Sequence, residues 1–213
     1  MNVQQSYNDW AEQYDTNNNK TRDLEAIALR KTLSNISFDS VLEVGCGTGK
    51  NTAWLLEKAK QVTAIDISEE MLAKAKEKIS ATHVQFLQAD ITLGWTFTNQ
   101  LYDLVSFSLV LEHIQNLDHI FNEVSKKLKP GGYVYIGELH PFKQYTGTKA
   151  RFSTENGQHV VTCFNHHISE FIQAAKKHGM MPIDIGEYFD DNEESGLPRI
   201  LSILFRNDNT VSS

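Results

Sequence analysis

The stretch that most constrains this chain is Ser40–Asn51, SVLEVGCGTGKN. A short apolar run (Val41, Leu42, Val44) carries a single carboxylate, Glu43, and ends in glycines at alternate positions, Gly45, Gly47 and Gly49. An apolar run of this length closed by glycines reads as a buried strand, and the TAWLLEKA that follows reads as a helix. The unit therefore places a Gly-rich turn beneath a helix N-terminus. Free backbone N–H groups and the helix dipole favour an anionic ligand group there, and the missing side chains let a ligand lie against the backbone. These residues predict a nucleotide-type crevice.

The rest of the chain repeats the strand–helix alternation around this unit. Gln61–Ile65 reads as a second strand ending at Asp66. Ser68 is a good N-cap, and Glu69 and Glu70 followed by Lys74, Lys76 and Lys78 match the dipole of a helix running to about Ile79. Val84–Leu87 and Tyr102–Phe107 are expected as the third and fourth strands. The fourth has no clean polar alternation, as suits a strand covered on both faces. Leu117–Leu128 reads as a helix stopped by Lys129-Pro130-Gly131-Gly132, before a fifth strand over Tyr133–Glu138. These alternations predict an α/β fold with a doubly wound parallel sheet. Ile168–His178 is then an expected helix with Gly179 as its stop. Ile183–Tyr188 and Ile200–Phe205 are expected to close the sheet as an antiparallel hairpin across the acidic loop DDNEESGLP.

Ahead of the sheet, residues 2 to 33 read as polar helix, broken at Asn17–Lys20 and resumed over Leu24–Leu33. Tyr7, Trp10 and Tyr14 share one helical face. That stripe either packs the segment onto the domain or sets Tyr14 and its neighbours as a lid on the crevice. His140–Phe164 is the most irregular stretch and lies past a strand's carboxyl end, where α/β sheets commonly build binding sites. The chain is read as one domain, 1–213, with 1–33 as a helical lid segment and 140–165 as a loop insert at the site.

A length of 213 residues suits one such domain with a full core. A net charge of -7 without a basic run opposes docking on nucleic acid or on an anionic membrane. Cys46 and Cys163 are the only cysteines, and Cys46 sits in the Gly turn, so a reducing compartment fits better than a structural disulfide. No apolar stretch approaches the roughly 18 residues of a membrane span, and the polar start MNVQQSYNDWAEQYD does not read as a secretion signal. A cytoplasmic protein is expected.

Charge narrows the ligand. A dinucleotide site would show G-x-G-x-x-G, whereas here the third glycine comes one residue early and Lys50 follows it. Asp66 stands where a carboxylate accepts from both ribose hydroxyls, each charge-assisted bond contributing roughly 1.5–3 kcal/mol. Asp90 ends the third strand, where an adenine amino group can be held. Glu43 beside the turn would repel a pyrophosphate but favour a ligand carrying an ammonium and a sulfonium. The physical reading is an adenosine ligand of cationic character.

VLEVGCGTG, AID at Asp66, QAD at Asp90, DLVSFSLVLEHI and LKPGG resemble the successive motifs of class I S-adenosylmethionine-dependent methyltransferases. The subgroup is the small-molecule domain typified by ubiquinone and menaquinone biosynthesis enzymes. The resemblance covers about residues 35–140, with a weaker likeness in YNDWAEQYD. It implies a Rossmann-like, three-layer α/β/α fold whose seven-stranded sheet is mostly parallel with an antiparallel last strand. It also implies S-adenosyl-L-methionine as methyl donor, S-adenosyl-L-homocysteine as product and a small-molecule acceptor. By position, Gly45, Gly47 and Gly49 would cradle the methionine part, and Glu43 would serve its amino group. Asp66 would hold the ribose, Ile67 and Met71 would pack around the adenosine, and Asp90 with Ile91 would bind the adenine edge. Ser108 and Leu109 would face the sulfonium, with Tyr14 over the site.

Displacement from a sulfonium chiefly requires alignment, worth up to about 7–11 kcal/mol. A general base is required only where the acceptor must lose a proton. His113 and His140, just past the fourth and fifth strands, are the candidate bases, and each is equally a packing or loop histidine. Tyr145 and Arg151, with Lys149 between them, are candidate acceptor contacts, Arg151 as a clamp for an acidic acceptor. The adjacent His166 and His167 splay apart and lack a third ligand at useful spacing, so no metal is expected. The N/D-P-P-Y/F pattern used to methylate nucleobase or glutamine amino groups is absent, so neither nucleic acid nor protein glutamine is expected as acceptor. A monomer or homodimer is expected. Two other classes stay open: a non-catalytic cofactor-binding sensor or partner subunit, and a nucleotide-dependent oxidoreductase, against which the glycine spacing counts.

Overall fold

The computed structural model describes residues 2–16, 18–148, 151–154, 157–190 and 196–209, and of 151–154 and 157–160 the backbone. Two helices come first. In α1, Val3–Tyr14, the Asn2 side chain caps by accepting from the Gln5 N–H at 2.8 Å, and α2, Lys20–Thr32, is capped by Asn19. Then β1, Ser40–Val44, leads through the Gly turn to α3, Lys50–Lys58. β2, Gln61–Asp66, leads to α4, Glu69–Lys78, and β3, Val84–Gln88, is followed by β4, Tyr102–Ser108. A 3-10 turn at Leu111–His113 precedes α5, Leu117–Lys127, which runs into β5, Leu128–Leu139, and the short α6, Pro141–Tyr145. A separate hairpin joins β6, Arg151–Thr154, to β7, Gly157–Val160. The chain closes with α7, Ile168–Lys177, β8, Met180–Tyr188, and β9, Ile200–Asn207.

Among the described residues the main sheet has seven strands in the order β3-β2-β1-β4-β5-β9-β8. β1 to β5 pair in parallel, while β9 is antiparallel to both β5 and β8. The expected doubly wound sheet with a reversed last strand is therefore present. The chain moves outward from β1 to β2 and β3, then crosses back to β4 on the other side of β1. That switch leaves a crevice at the carboxyl ends of β1 and β4, where neighbouring connections diverge.

Helices cover both faces of the sheet. Ile120, Phe121 and Val124 of α5 and Phe171 and Ala175 of α7 pack with Leu42, Val44, Val105 and Phe107 on one side. Leu29, Leu55 and Leu72 of α2, α3 and α4 pack with Val41, Leu104 and Tyr135 on the other. Burial on both faces is why the central strands read as apolar runs rather than alternations.

Some boundaries depart from expectation. β5 starts at Leu128 because LKPGG is absorbed as an irregularity, the pairing passing from Tyr102↔Leu128 to Leu104↔Tyr133. Pro130 cannot donate to a ladder, so the strand bulges past it. β8 starts at Met180 with a similar shift between Pro182 and Asp184, and its place at the sheet edge tolerates the proline. The segment expected to be irregular contains α6 and the β6–β7 hairpin. Of the acidic loop, residues 191–195 lie outside the described residues, as does Lys149.

Buried glutamates tie the layers together. Glu25 of α2 accepts from Asn51 Nδ2 in α3 at 2.9 Å and from the Tyr135 hydroxyl in β5 at 3.2 Å. Glu138 accepts from the N–H groups of Val110 and Leu111 at 3.0 and 2.8 Å, holding the 3-10 turn. Glu43 accepts from the Thr52 hydroxyl at 2.5 Å. Burial pushes all three carboxyls up, Glu25 to about 7 and Glu43 and Glu138 to about 8. A folded value above the ordinary 4.5 means that the folded protein keeps protons the unfolded chain releases, so this stability is present below 4.5 and lost as pH rises through about 8. Urea titrations of the ligand-free protein from about pH 5 to pH 8 test this. Glu43→Gln is expected to lose stability less steeply than the parent, by up to about 1.4 kcal/mol per pH unit, and identical slopes would refute the neutral carboxyl.

Candidate active site

A cavity of about 320 Å³ lies at the carboxyl ends of β1, β2 and β4, with α1 contributing Tyr7 and Tyr14 to its wall. The turn after β1 supplies Gly45 and Gly47, and β2 supplies Asp66 with Ile67 beyond it. Asp90 and Ile91 follow β3, Ser108 and Leu109 end β4, and His113 closes the 3-10 turn. The structure thus gathers Tyr14, Gly45, Gly47, Asp66, Ile67, Asp90, Ile91, Ser108, Leu109 and His113, drawn from positions 14 to 113, around one space.

The Gly turn is pinned from below. Asp66 Oδ2 accepts from the Gly47 N–H at 2.8 Å and Oδ1 accepts from the Ser68 N–H at 2.9 Å. The Ile65 carbonyl takes the N–H groups of Gly45 and Cys46 at 2.8 and 3.0 Å. Burial pushes the Asp66 carboxyl up against the opposing pull of these backbone donors. The carboxylate also lines the cavity, where its remaining lone-pair capacity can meet a ligand hydroxyl. Gly45 has φ +74°, and a Cβ there would stand 2.1 Å from Val110 Cγ2, so a side chain has no room. Across the cavity Leu109 holds φ +57°, unusual for a bulky residue, with its N–H donated to the Gly137 carbonyl at 2.8 Å. Asp90 Oδ1 accepts from the Thr92 N–H at 2.9 Å and its hydroxyl at 2.6 Å, a turn that fixes the carboxylate at the rim.

Other expected residues are not brought to the cavity. Glu43 faces α3 and Thr52, because side chains alternate along a strand and Val44 takes the cavity side. Gly49 is the N-cap of α3, against Ile79 and Ala75. Met71 is fully buried among Trp10, Ala11 and Val161, under α1. His140 is fully buried as the cap of α6, its Nδ1 accepting from the Phe142 N–H at 3.2 Å, so that Nε2–H donates to Glu187 at 3.0 Å. Burial pushes its imidazole down. Tyr145 is half exposed and its hydroxyl meets His167 Nδ1 at 2.6 Å. Arg151 lies in β6, and its side chain is outside the described set. His166 Nε2–H donates to the Ile114 carbonyl at 2.7 Å, so the adjacent histidines serve different partners.

Sequence reasoning reads Tyr7 only as part of the packing-or-lid stripe and assigns it no chemistry. His113 Nδ1 lies 2.8 Å from the Thr162 carbonyl oxygen, which can only accept, so in the neutral ring Nδ1 carries the hydrogen. Nε2 is then the acceptor, and the Tyr7 hydroxyl donates to it at 2.8 Å. Burial pushes the Tyr7 phenol well up, which keeps it protonated. Its position on the Tyr7–Trp10–Tyr14 face was the available signal.

The lining contains the carboxylates Asp66 and Asp90 and neither lysine nor arginine. A ligand with an adenosine, hydroxyls and positive charges suits that donor set. A methyltransferase-domain family model matches residues 42–136. An uncharacterised methyltransferase of Emericella nidulans is 26% identical over 82% of this chain and 74% of that protein. A malonyl-[acyl-carrier protein] O-methyltransferase of Salmonella typhimurium is 32% identical over 54% of this chain, which spans 44% of that relative's length. A provisionally assigned S-adenosylmethionine-dependent methyltransferase structure from Listeria monocytogenes aligns with a TM-score of 0.75 at 25% identity, over 88% of this chain and 99% of that one. The cavity, the fold and these likenesses agree on a methyltransferase domain over residues 42–136, similar to that of S-adenosylmethionine-dependent methyltransferases.

Proposed function

We propose that this chain, acting as a single domain over 1–213, methylates a small-molecule acceptor. The observation that carries the reading is the donor cavity at the sheet's switch point, walled by carboxylates with neither lysine nor arginine. S-adenosyl-L-methionine supplies a methyl on a positively charged sulfur, and the acceptor's lone pair bonds that carbon as the carbon–sulfur pair returns to sulfur, leaving S-adenosyl-L-homocysteine. Gly45 and Gly47 would lie against the methionine part, and Asp66 would hold the ribose hydroxyls. Ile67 would pack on the adenosine, Asp90 and Ile91 would take the adenine edge, and Ser108 and Leu109 would border the sulfur. Tyr14 and the 1–33 segment form the lid, supported by the α1 residues in the cavity wall. Glu43, Gly49 and Met71 support the walls from behind.

Where the acceptor's nucleophile carries a proton, that proton passes to Tyr7 Oη while the Tyr7 proton passes to His113 Nε2. The Thr162 carbonyl stays on Nδ1–H and stabilises the imidazolium. The 140–165 segment contributes to the acceptor side, which the Thr162 contact supports. Cys46 and Cys163 are not joined in a disulfide, in keeping with a cytoplasmic setting, and the net charge of -7 supports an acceptor other than nucleic acid. No helix among the described residues is long and apolar enough to cross a membrane.

Calorimetric titration tests the donor site. S-adenosyl-L-methionine and S-adenosyl-L-homocysteine are expected to bind at about micromolar Kd and NADH not at all, with Asp66→Ala weaker by about tenfold or more. A folded parent that binds neither sulfur ligand would remove the reading at its root. For an acceptor with a titrating nucleophile, Tyr7→Phe and His113→Gln are each expected to lower kcat by about 10²–10⁴-fold while changing S-adenosyl-L-homocysteine affinity less than about twofold. Parental kcat in both would take the proton route away from this pair.

A further inference from the structure

We infer that a second cavity, adjoining the donor cavity, is the acceptor chamber and takes a small molecule bearing an oxyanion, held between Arg22 and Arg199. The inference rests on the methyltransferase reading and names the acceptor class for it. The chamber has a volume of about 200 Å³ and shares Tyr7, Tyr14 and Leu109 with the donor cavity. Direct displacement needs the nucleophile beside the methyl carbon, and these shared residues are the partition across which the two would meet.

The two spaces differ in their cationic side chains. The donor cavity is lined by two carboxylates and by neither lysine nor arginine, whereas the second is lined by both guanidinium groups with a single carboxylate, Glu112. Arg22 of α2 lies 3.9 Å over the Tyr14 ring and 5.8 Å from Trp10, and its Nη1 donates to the Tyr14 carbonyl. Arg199 donates through Nε and Nη2 to the Asp190 carboxylate and through Nη1 to the Thr21 hydroxyl at 3.1 Å. Ring stacking and these bonds fix both guanidinium planes before any ligand arrives, and an incoming oxyanion would take the Nε/Nη2 edge of Arg199 in exchange for Asp190. A pre-set guanidinium matches carboxylate or phosphoryl oxygens at low ordering cost.

Glu112 supplies a second, independent sign. It also lines this chamber, is only 6% exposed, and its Oε2 is buried without a hydrogen-bond partner. Its polar neighbours are His113, whose Nε2 lies 4.0 Å from Oε1, and the Cys163 thiol. Burial pushes its carboxyl up. A buried oxygen left unmet is costly, and a hydroxyl or amine on the acceptor would meet it. The chamber therefore offers a cationic wall and, beside His113, an acceptor for a nucleophile's X–H. Arg22 of α2 and Arg199, just ahead of β9, take here the anion-holding role for which the sequence suggests Arg151, whose side chain lies outside the described set.

The test uses the full chain loaded with S-adenosyl-L-homocysteine, whose binding is first established by calorimetry. Inorganic phosphate and acetate are titrated separately, with urea as the neutral control, and the Trp10 indole N–H resonance is followed, assigned through Trp10→Phe. Both anions are expected to move it saturably, and Arg22→Gln and Arg199→Gln are expected to weaken this by about tenfold or more. The variants must keep parental S-adenosyl-L-homocysteine affinity, and Arg22→Lys, which keeps the charge but loses the fork, is expected to fall between. Tighter phosphate binding would mark a phosphoryl or phosphonyl acceptor, and tighter acetate binding a carboxylate. In protein that binds S-adenosyl-L-homocysteine, no saturable shift by about 50 mM anion, an equal shift with urea, or undiminished binding in both variants would overturn this inference alone. Failure to bind S-adenosyl-L-homocysteine would instead overturn the donor reading and the inference resting on it.

Discussion

The Asp66 carboxylate sits between three pieces of backbone, and the site depends on that contact. One oxygen holds the Gly47 N–H of the turn and the other holds the Ser68 N–H at the head of α4, while the residue itself ends β2. A buried carboxylate is expensive to desolvate, and backbone donors offset part of that cost. The same contacts keep the turn between β1 and α3 in a shape that has no room for a side chain at Gly45. A crevice at a switch point is a general property of doubly wound sheets. In this chain it becomes a specific pocket because one side chain locks turn, strand and helix together.

The roof is built by a different interaction. Tyr7, Trp10 and Tyr14 pack along α1, the first pair stacked with ring centroids 5.9 Å apart and the second edge to face at 5.0 Å. Trp10 and Ala11 seat the helix on Met71 of α4, which explains why that methionine is core rather than cavity wall. The Ser68 hydroxyl reaching Asn8 Oδ1 at 2.6 Å and the Thr48 hydroxyl reaching Asp15 at 2.7 Å tie the roof to the turn and to α4. With α1 in this position, Tyr7 and Tyr14 stand between a chamber suited to cations and one suited to anions. A sulfonium donor and an oxyanion-bearing acceptor would each find the complementary field, and the partition would set their encounter.

Much of this was legible in the chain itself. The strand run before Gly45, the carboxylates closing β2 and β3, the N-cap at Ser68 and the alternation of elements are local signals, set by periodicity and by backbone chemistry within a few residues. Glu43 shows where local reading stops. Its presence beside the turn is visible, but which face of β1 it occupies depends on what covers each face, and α3 claimed it. His140 fails for a similar reason, since α6 and Glu187 of β8 consume both ring nitrogens. The β6–β7 hairpin had a signal that went unused, the Asn156–Gly157 pair between short polar–apolar runs.

The sequence by itself determined the α/β class, the succession of strands and helices along the chain, the position of the Gly turn and the carboxylates Asp66 and Asp90 after β2 and β3, because each rests on signals between near neighbours in the chain. Only the tertiary structure decided the rest. Tyr7 meets His113 across 106 positions, and Thr21 meets Arg199 across 178. Such pairings arise from how the sheet closes and where α1 and α2 settle on it, through burial summed over the whole fold. Burial has no periodicity that reports partners at that distance, so the acceptor side of the site becomes visible only once the chain is folded.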